Sequence, residues 1–355
     1  MRVLILLVLV LAGAAGAVGA GREIAEHKAT VAALASATTS VPVGQDHACV
    51  VGPPPSGGID WSALRNPVLS SPDHGFKDQA LQWSGGQWHM LFTDMTATAA
   101  APNVSFEVAE VHSRDLMHWS QPEVVATDAA SPDIVRDPSG AFVVTYQTQQ
   151  GTHDQLEYRI SKDASLTHWS RAHALGHGLA GRMIDGALAY TGDGVILGFK
   201  AGSSAQHFEI AWAPSLTSKF RVVGQPDISY YNDTVENYEF VTVDGTWHLV
   251  ATSNTLDQPF IFTLGAGNPR VAATWLHWID GRELHIPNQP FDTGTGLPSV
   301  AYEHANSAFL CVGPKGKDYL TFAASTELAS YGGWGHATIG LARSTDLTHW
   351  QVPTG

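Results

Sequence analysis

Four carboxylates each stand at the head of a short patterned segment: Asp78 in "FKDQALQW", Asp133 in "SPDIVRD", Asp185 in "MIDGALAY" and Glu236 in "ENYEFVTV". A half-buried strand has little use for an acid at its start unless the acid faces a cavity. Carboxylates gathered in one cavity repel one another, so that one keeps its proton while a neighbour stays ionised. That split is what general acid–base chemistry needs, with one group giving a proton and another taking one. A fifth segment, "HANSAFLCV", opens on His304 instead.

The elements that must position these groups read as short strands. "QWHMLFTD", "AFVVTYQT", "VILGFKAG" and "DYLTFAAS" alternate apolar and polar residues, and tight turns such as Gly85-Gly86 and Asp244-Gly245 separate such runs. A corner recurs: "SRDLMHWS" at Ser113–Ser120, "DASLTHWS" at Asp163–Ser170 and "STDLTHWQ" at Ser344–Gln351, with a degenerate copy, "APSLTSKF", at Ala213–Phe220. "WLHW" at Trp275–Trp278 ends the remaining unit. Repeats of about 50 residues, each with four strands, predict β-propeller blades. Five units predict an all-β, five-bladed β-propeller over residues 49–355. The innermost strand of each blade lines the central channel, so the blade-opening acids converge at one mouth. The corner histidines His118, His168 and His349 read as turn residues.

With 19 basic and 33 acidic residues the formal charge is −14, and no basic run is present. An acidic surface repels phosphate backbones and argues against a nucleic-acid partner. Residues 1–20 have the layout of a secretory signal peptide: Arg2, an apolar run from Val3 to Leu11, and small residues up to a cleavage site after Ala20. That run is short for a membrane anchor, the alternative reading. Export predicts a soluble, extracellular protein, taken to be monomeric. Residues 21–48 read as an N-terminal extension or linker. In an exported chain the two cysteines, Cys49 and Cys311, are expected to form a disulfide that ties the N-terminal region to the last blade.

Taken together, the blade openings resemble those of the five-bladed glycosidases of glycoside hydrolase families 43 and 62, chiefly the α-L-arabinofuranosidases, over most of residues 49–350. "FKDQALQWSGGQWHMLF" resembles the segment that carries the catalytic base, which the resemblance assigns to Asp78. "MIDGALAYTGDGVILGFKA" resembles the segment whose aspartate tunes the acid and orients substrate, here Asp185. "ENYEFVTVDGTWHLV" resembles the segment of the general acid, and its distance from Asp244-Gly245 selects Glu236 over Glu239. Strict alternation also lets only one of those two glutamates face the channel. Glu239 is then a solvated or inter-blade charge. Gln79, Gly186 and Asn237 depart from the family pattern.

The resemblance implies an inverting hydrolysis. Glu236, kept protonated by the like charge of Asp185, protonates the leaving oxygen, and Asp78 activates a water on the opposite face of the sugar. Lys77, beside the base, is a candidate to pair with it or to bind a sugar hydroxyl, or else a surface lysine. Arg182 is a similar candidate, and Asp133 is expected close to the substrate without transferring a proton. His304 resembles the residue that holds a calcium ion in the channel, largely through waters, and no organic cofactor is implied. The substrate is then a plant cell-wall polysaccharide or oligosaccharide, arabinoxylan or arabinan. A β-xylosidase, an endo-arabinanase or a non-catalytic sugar-binding propeller fits the same pattern.

Overall fold

In a computed structural model of the chain, the described residues are 49, 59–97, 104–149, 153–202, 207–228, 235–253, 258–291, 306–313, 318–325 and 335–354. The expected signal peptide and the whole of the 21–48 extension lie outside them, as does His304.

Five antiparallel sheets follow one another along the chain. Blade one contains β1 (His74–Ser84), β2 (Gln87–Ala97), β3 (Val104–Ser113) and β4 (Glu123–Thr127). Blade two contains β5 (Ala129–Arg136), β6 (Phe142–Thr148), β7 (Leu156–Ser161) and β8 (His173–Ala174). Blade three contains β9 (Met183–Tyr190), β10 (Val195–Ala201), β11 (His207–Ala213) and β12 (Arg221–Gly224). Blade four contains β13 (Val235–Val243), β14 (Thr246–Ser253), β15 (Gln258–Leu264) and β16 (Trp278–Glu283), and blade five β17 (Asn306–Val312), β18 (Asp318–Ala324) and β19 (Thr338–Ser344). The protein is the expected five-bladed β-propeller. All five blade openings named from sequence are innermost strands.

Burial falls from the axis outward. β1 and β2 are buried along nearly their whole length, whereas β4 and β12 are largely exposed. The apolar core fills the spaces within and between blades. Trp88 of blade one packs edge-on against Trp83 and Tyr319, the latter from blade five, and Phe240, Trp247, Trp275 and Trp278 interlock in blade four.

The corners follow the third strand of a blade. In three of them the leucine adopts a left-handed backbone: Leu116 at φ 63°, Leu166 at 53° and Leu347 at 56°. An aspartate one or three residues earlier secures the turn. Asp115 accepts from the amides of Met117 and His118, and Asp346 from those of Thr348 and His349. The histidines His118, His168 and His349 bond back to that aspartate and remain exposed, as turn residues should.

The ring closes between blades one and five. Val68 and Leu69 exchange backbone hydrogen bonds with Ile339 on the outer edge of β19, and Asn66 pairs with the backbone of Leu341. Cys49 and Cys311 form the expected disulfide, their Cα atoms 5.2 Å apart. The carbonyl of Cys49 also accepts from the amide of Trp83 and from the side chain of Gln82, fastening β17 to β1.

Candidate active site

Each innermost strand carries the same backbone device. A bulge interrupts the ladder, and one residue of each bulge turns left-handed: Asp78 (φ 51°), Ser131 (52°), Asp185 (53°), Asn237 (52°) and Ser307 (52°). Non-glycine residues adopt this conformation reluctantly, and Asp and Asn are among those that tolerate it best. The bulges re-aim side chains toward the axis. Together they make a ring of five stations, two of which hold acids named from sequence.

A second ring braces the first. The residue before each station pairs, across the hairpin, with Thr93, Gln147, Lys200, Thr252 and Ala323 in turn. Three of these accept from the station amide of the next blade: Thr93 from Ser131 at 2.8 Å, Gln147 from Asp185 at 2.8 Å and Thr252 from Ser307 at 3.0 Å. Ala323 has no polar group, and at that seam Gln79 donates to the carbonyl of Ser307 at 2.6 Å. Lys200 breaks the pattern: its Nζ donates to Oε2 of Glu236 at 2.7 Å.

Asp78 is buried and accepts hydrogen bonds from three blades. Thr93 donates to Oδ2 at 2.9 Å, and Ser307 and Asn237 donate to Oδ1 at 2.6 and 3.1 Å. Asp185 is also buried, and its carboxyl is pushed up to about 7, first by burial and then by the charge of Glu236, with Asp78 adding a smaller push. The structure thus brings Asp78, Asp185 and Glu236 within electrostatic reach of one another. Glu236 itself has Lys200 as its partner, at 2.7 Å. The phenol of Tyr238 is raised by burial and by Asp185 and Glu236.

Asp78 and Asp185 line an axial cavity to which all five blades contribute, with Gln79, Asp133, Gly186, Tyr238, Glu239 and Phe309 among its other lining residues. Its volume of about 30 Å³ is room for one or two waters. Asp133 is buried against it with neither carboxyl oxygen hydrogen-bonded. The amides of Ile134 and Leu188 face the group without closing a bond, and burial raises it to about 7. Glu239 is buried, not solvated: Oε2 accepts from the amide of Leu310 in blade five at 2.7 Å, and burial raises its carboxyl well above the usual range. The bulge at Asn237 explains why both glutamates serve the axis. It inserts a residue between them and breaks the strict alternation that had set them on opposite faces.

Lys77 is buried on β1, opposite Thr93. Arg182 forms an ion pair with the buried Asp154 at 2.8 Å, which holds it at the start of β9. Calcium takes six to eight oxygen ligands. Among the described residues no group of three or more His, Cys, Asp and Glu side chains converges to hold a metal. His304, the residue expected to hold the ion, lies outside the described residues.

Sequence reasoning missed Lys200, Asn237, Ser307, Thr93 and Gln147. Lys200 left a trace, because "VILGFKAG" places a lysine among residues that are otherwise apolar or small.

No protein-family model and no curated protein matches this sequence. Solved structures do resemble it. An α-L-arabinofuranosidase from Lactobacillus brevis superimposes with a TM-score of 0.56 at 10% identity, over 82% of this chain and 95% of that one. A glycosyl hydrolase from Bacteroides ovatus gives 0.54 at 12%, over 77% and 85%. A thermostable family-43 glycoside hydrolase gives 0.53 at 12%, over 82% and 96%. The likeness is one of fold. These neighbours are glycoside hydrolases built on the same propeller.

Proposed function

We propose that this chain is an exported, inverting glycoside hydrolase that removes α-L-arabinofuranose from arabinoxylan or arabinan side chains. One observation carries the reading. Asp78, Asp185 and Glu236 come from blades one, three and four; Asp78 and Asp185 line the axial cavity, and the charges of Glu236 and Asp78 both bear on Asp185. A purely sugar-binding propeller has no need for three acids at three blade openings. The choice of sugar is supported by the family-43 motifs around these acids and by the arabinofuranosidase among the structural neighbours.

In this reading Asp78, held as an acceptor by Thr93, Asn237 and Ser307, takes a proton from water. The Asp185–Glu236 pair supplies a proton to the leaving oxygen. Lys77, Asp133 and Arg182 contribute to the substrate pocket or to the shell that supports it, and the enzyme acts as a monomer outside the cell. The disulfide and the propeller neighbours accord with that location. Among the described residues no helix is long and apolar enough to cross a membrane.

Incubating the protein with aryl arabinofuranosides, aryl xylosides, arabinoxylan and linear arabinan, and following the released anomer by NMR, tests this reading. Release of arabinose as the inverted anomer supports it. Xylose, or internal cleavage of arabinan, moves the assignment to a β-xylosidase or an endo-arabinanase. Polysaccharide binding without any product after long incubation makes the chain a carbohydrate-binding propeller.

A further inference from the structure

We propose that Asn237 and Ser307 are positioning residues for the base: they occupy Oδ1 of Asp78 and leave Oδ2 as the atom that holds the attacking water and takes its proton. The proposal rests on the glycosidase reading above and deepens it.

The five left-handed stations divide into two acids and three neutral residues, and each neutral residue gives its side chain to an acid. The Ser131 hydroxyl bonds to Asp185. Ser307 and Asn237 both donate to Asp78, at 2.6 and 3.1 Å, and both reach the same oxygen, Oδ1. An oxygen of a carboxylate has two lone pairs, so Oδ1 is full. Oδ2 receives the hydroxyl of Thr93 at 2.9 Å. Among the described residues no other group donates to this carboxylate. One acceptor position is left, and it is on Oδ2.

The surrounding bonds fix which group donates. Thr93 already accepts from the amide of Ser131 at 2.8 Å, so its own proton is turned to Asp78. Ser307 is held on both sides of its side chain: its amide donates to Thr252 at 3.0 Å, and its carbonyl accepts from Gln79 at 2.6 Å. Gln79 follows Asp78 on β1, so two bonds tie the same pair of blade openings together. At Asn237 the backbone does not require asparagine, because glycine takes up φ 52° with the least strain. What asparagine adds is an N–H donor aimed at an acid of another blade.

A carboxyl free to rotate could offer either oxygen to a water. Asp78 cannot turn without breaking both bonds at Oδ1. Asp78, Asn237 and Ser307 all line the axial cavity, which has room for a water. In the reaction the oxygen of that water bonds to the anomeric carbon, and the proton it sheds passes to Oδ2. The bond to the leaving oxygen breaks with its electron pair on that oxygen, which takes a proton from the Asp185–Glu236 pair. Solvent exchange returns the carboxyls to their starting states.

Glycine removes each donor without straining the backbone, so the variants are Asn237→Gly and Ser307→Gly, with circular dichroism confirming the fold. On aryl arabinofuranosides each is expected to lower kcat about 10- to 100-fold while KM changes by less than about 3-fold. If the two side chains only fill space, Tm falls and kcat stays, which overturns the proposal.

Carbon-13 NMR of aspartate-labelled protein reads the carboxyl itself, its signal identified by loss in Asp78→Asn. The ionisable groups around Asp78 are Asp185 on β9, Asp133 on β5 and Glu239 on β13, with Glu236 and Lys200 paired nearby and Lys77 preceding it on β1. All of them are unchanged in the two variants. A donor to a carboxylate favours its charged form, so Asp78 should titrate about one pH unit higher in each variant than in wild type. An unchanged titration overturns the proposal. A high-resolution crystal structure of the ligand-free wild type should show a water on Oδ2; an Oδ2 without one, or a water on Oδ1, also overturns it. These two measurements need no turnover. If wild type hydrolyses no glycoside, the glycosidase reading falls while they still rule on Asn237 and Ser307.

Discussion

Asn237 donates from its side-chain amide to Asp78 across 3.1 Å, although 159 residues separate the two in sequence. The contact joins blade four to blade one at the axis and puts the residue next to Glu236 in direct touch with the proposed base. Asp78 is consequently fixed from three blades before any substrate arrives. Preorganised groups of this kind need little rearrangement when the reaction takes place.

Replacing Asp78 with Asn should therefore abolish hydrolysis while leaving the fold intact. A rate loss of at least about 10³-fold on aryl arabinofuranosides is expected. Thermal unfolding should change by no more than about 1–2 kcal/mol, because an amide oxygen can still accept from Ser307 and Asn237. Steady-state kinetics and calorimetry on the same preparation check both halves.

Asp133 makes a prediction about pH. Its carboxyl is raised in the folded chain from 3.8 to about 7 by burial, so folding favours its protonated form. That contribution to stability is complete below about pH 4 and is lost as the pH rises through about 7. Asp133→Asn should match wild type near pH 4 and be the more stable protein at pH 8, by up to ~4 kcal/mol. Urea unfolding of both proteins across that range is the measurement, and a constant difference would contradict the assignment.

The Cys49–Cys311 disulfide spans 262 residues and sits at the seam where blade five meets blade one. Removing it with Cys49→Ser and Cys311→Ser together should lower stability by about 2–4 kcal/mol. The activity of the folded fraction should survive, because neither cysteine lines the axial cavity. Denaturant midpoints and residual activity at low temperature separate the two effects.

Gly186 departs from the family pattern, and the structure gives a reason. A Cβ at this position would lie 2.7 Å from Cδ1 of Leu156, in the neighbouring strand of blade two. Gly186→Ala is expected to cost about 1–3 kcal/mol as an overpacked site. Combining it with Leu156→Ala should cost less than the sum of the two single changes. A double-mutant cycle measures that coupling.

Much of this was legible in the sequence. The blades could be read because the alternating strands recur in every unit and the corner "Leu-x-His-Trp" survives in three of the five. Asp78, Asp185 and Glu236 could be named because each opens a strand. Lys200 could not. It lies inside a strand, and its meaning depends on Glu236 in the next blade, a contact 36 residues away. Glu239 was half legible: of the two readings, solvated or inter-blade, the second holds through its bond to Leu310, while its place at the axis was hidden because a bulge cannot be read from side-chain period. His304, the residue expected to hold a calcium ion, lies outside the described residues.

The five left-handed stations have a consequence for how such a protein can change. Each presents one side chain to the axis from a backbone that is the same in every blade, whether the residue is Asp, Ser or Asn. Swapping side chains among these positions would rewrite what the centre of the molecule does without renegotiating a single strand pairing. The propeller is in that sense a five-slot socket, with reactivity held in the inserts and durability in the housing.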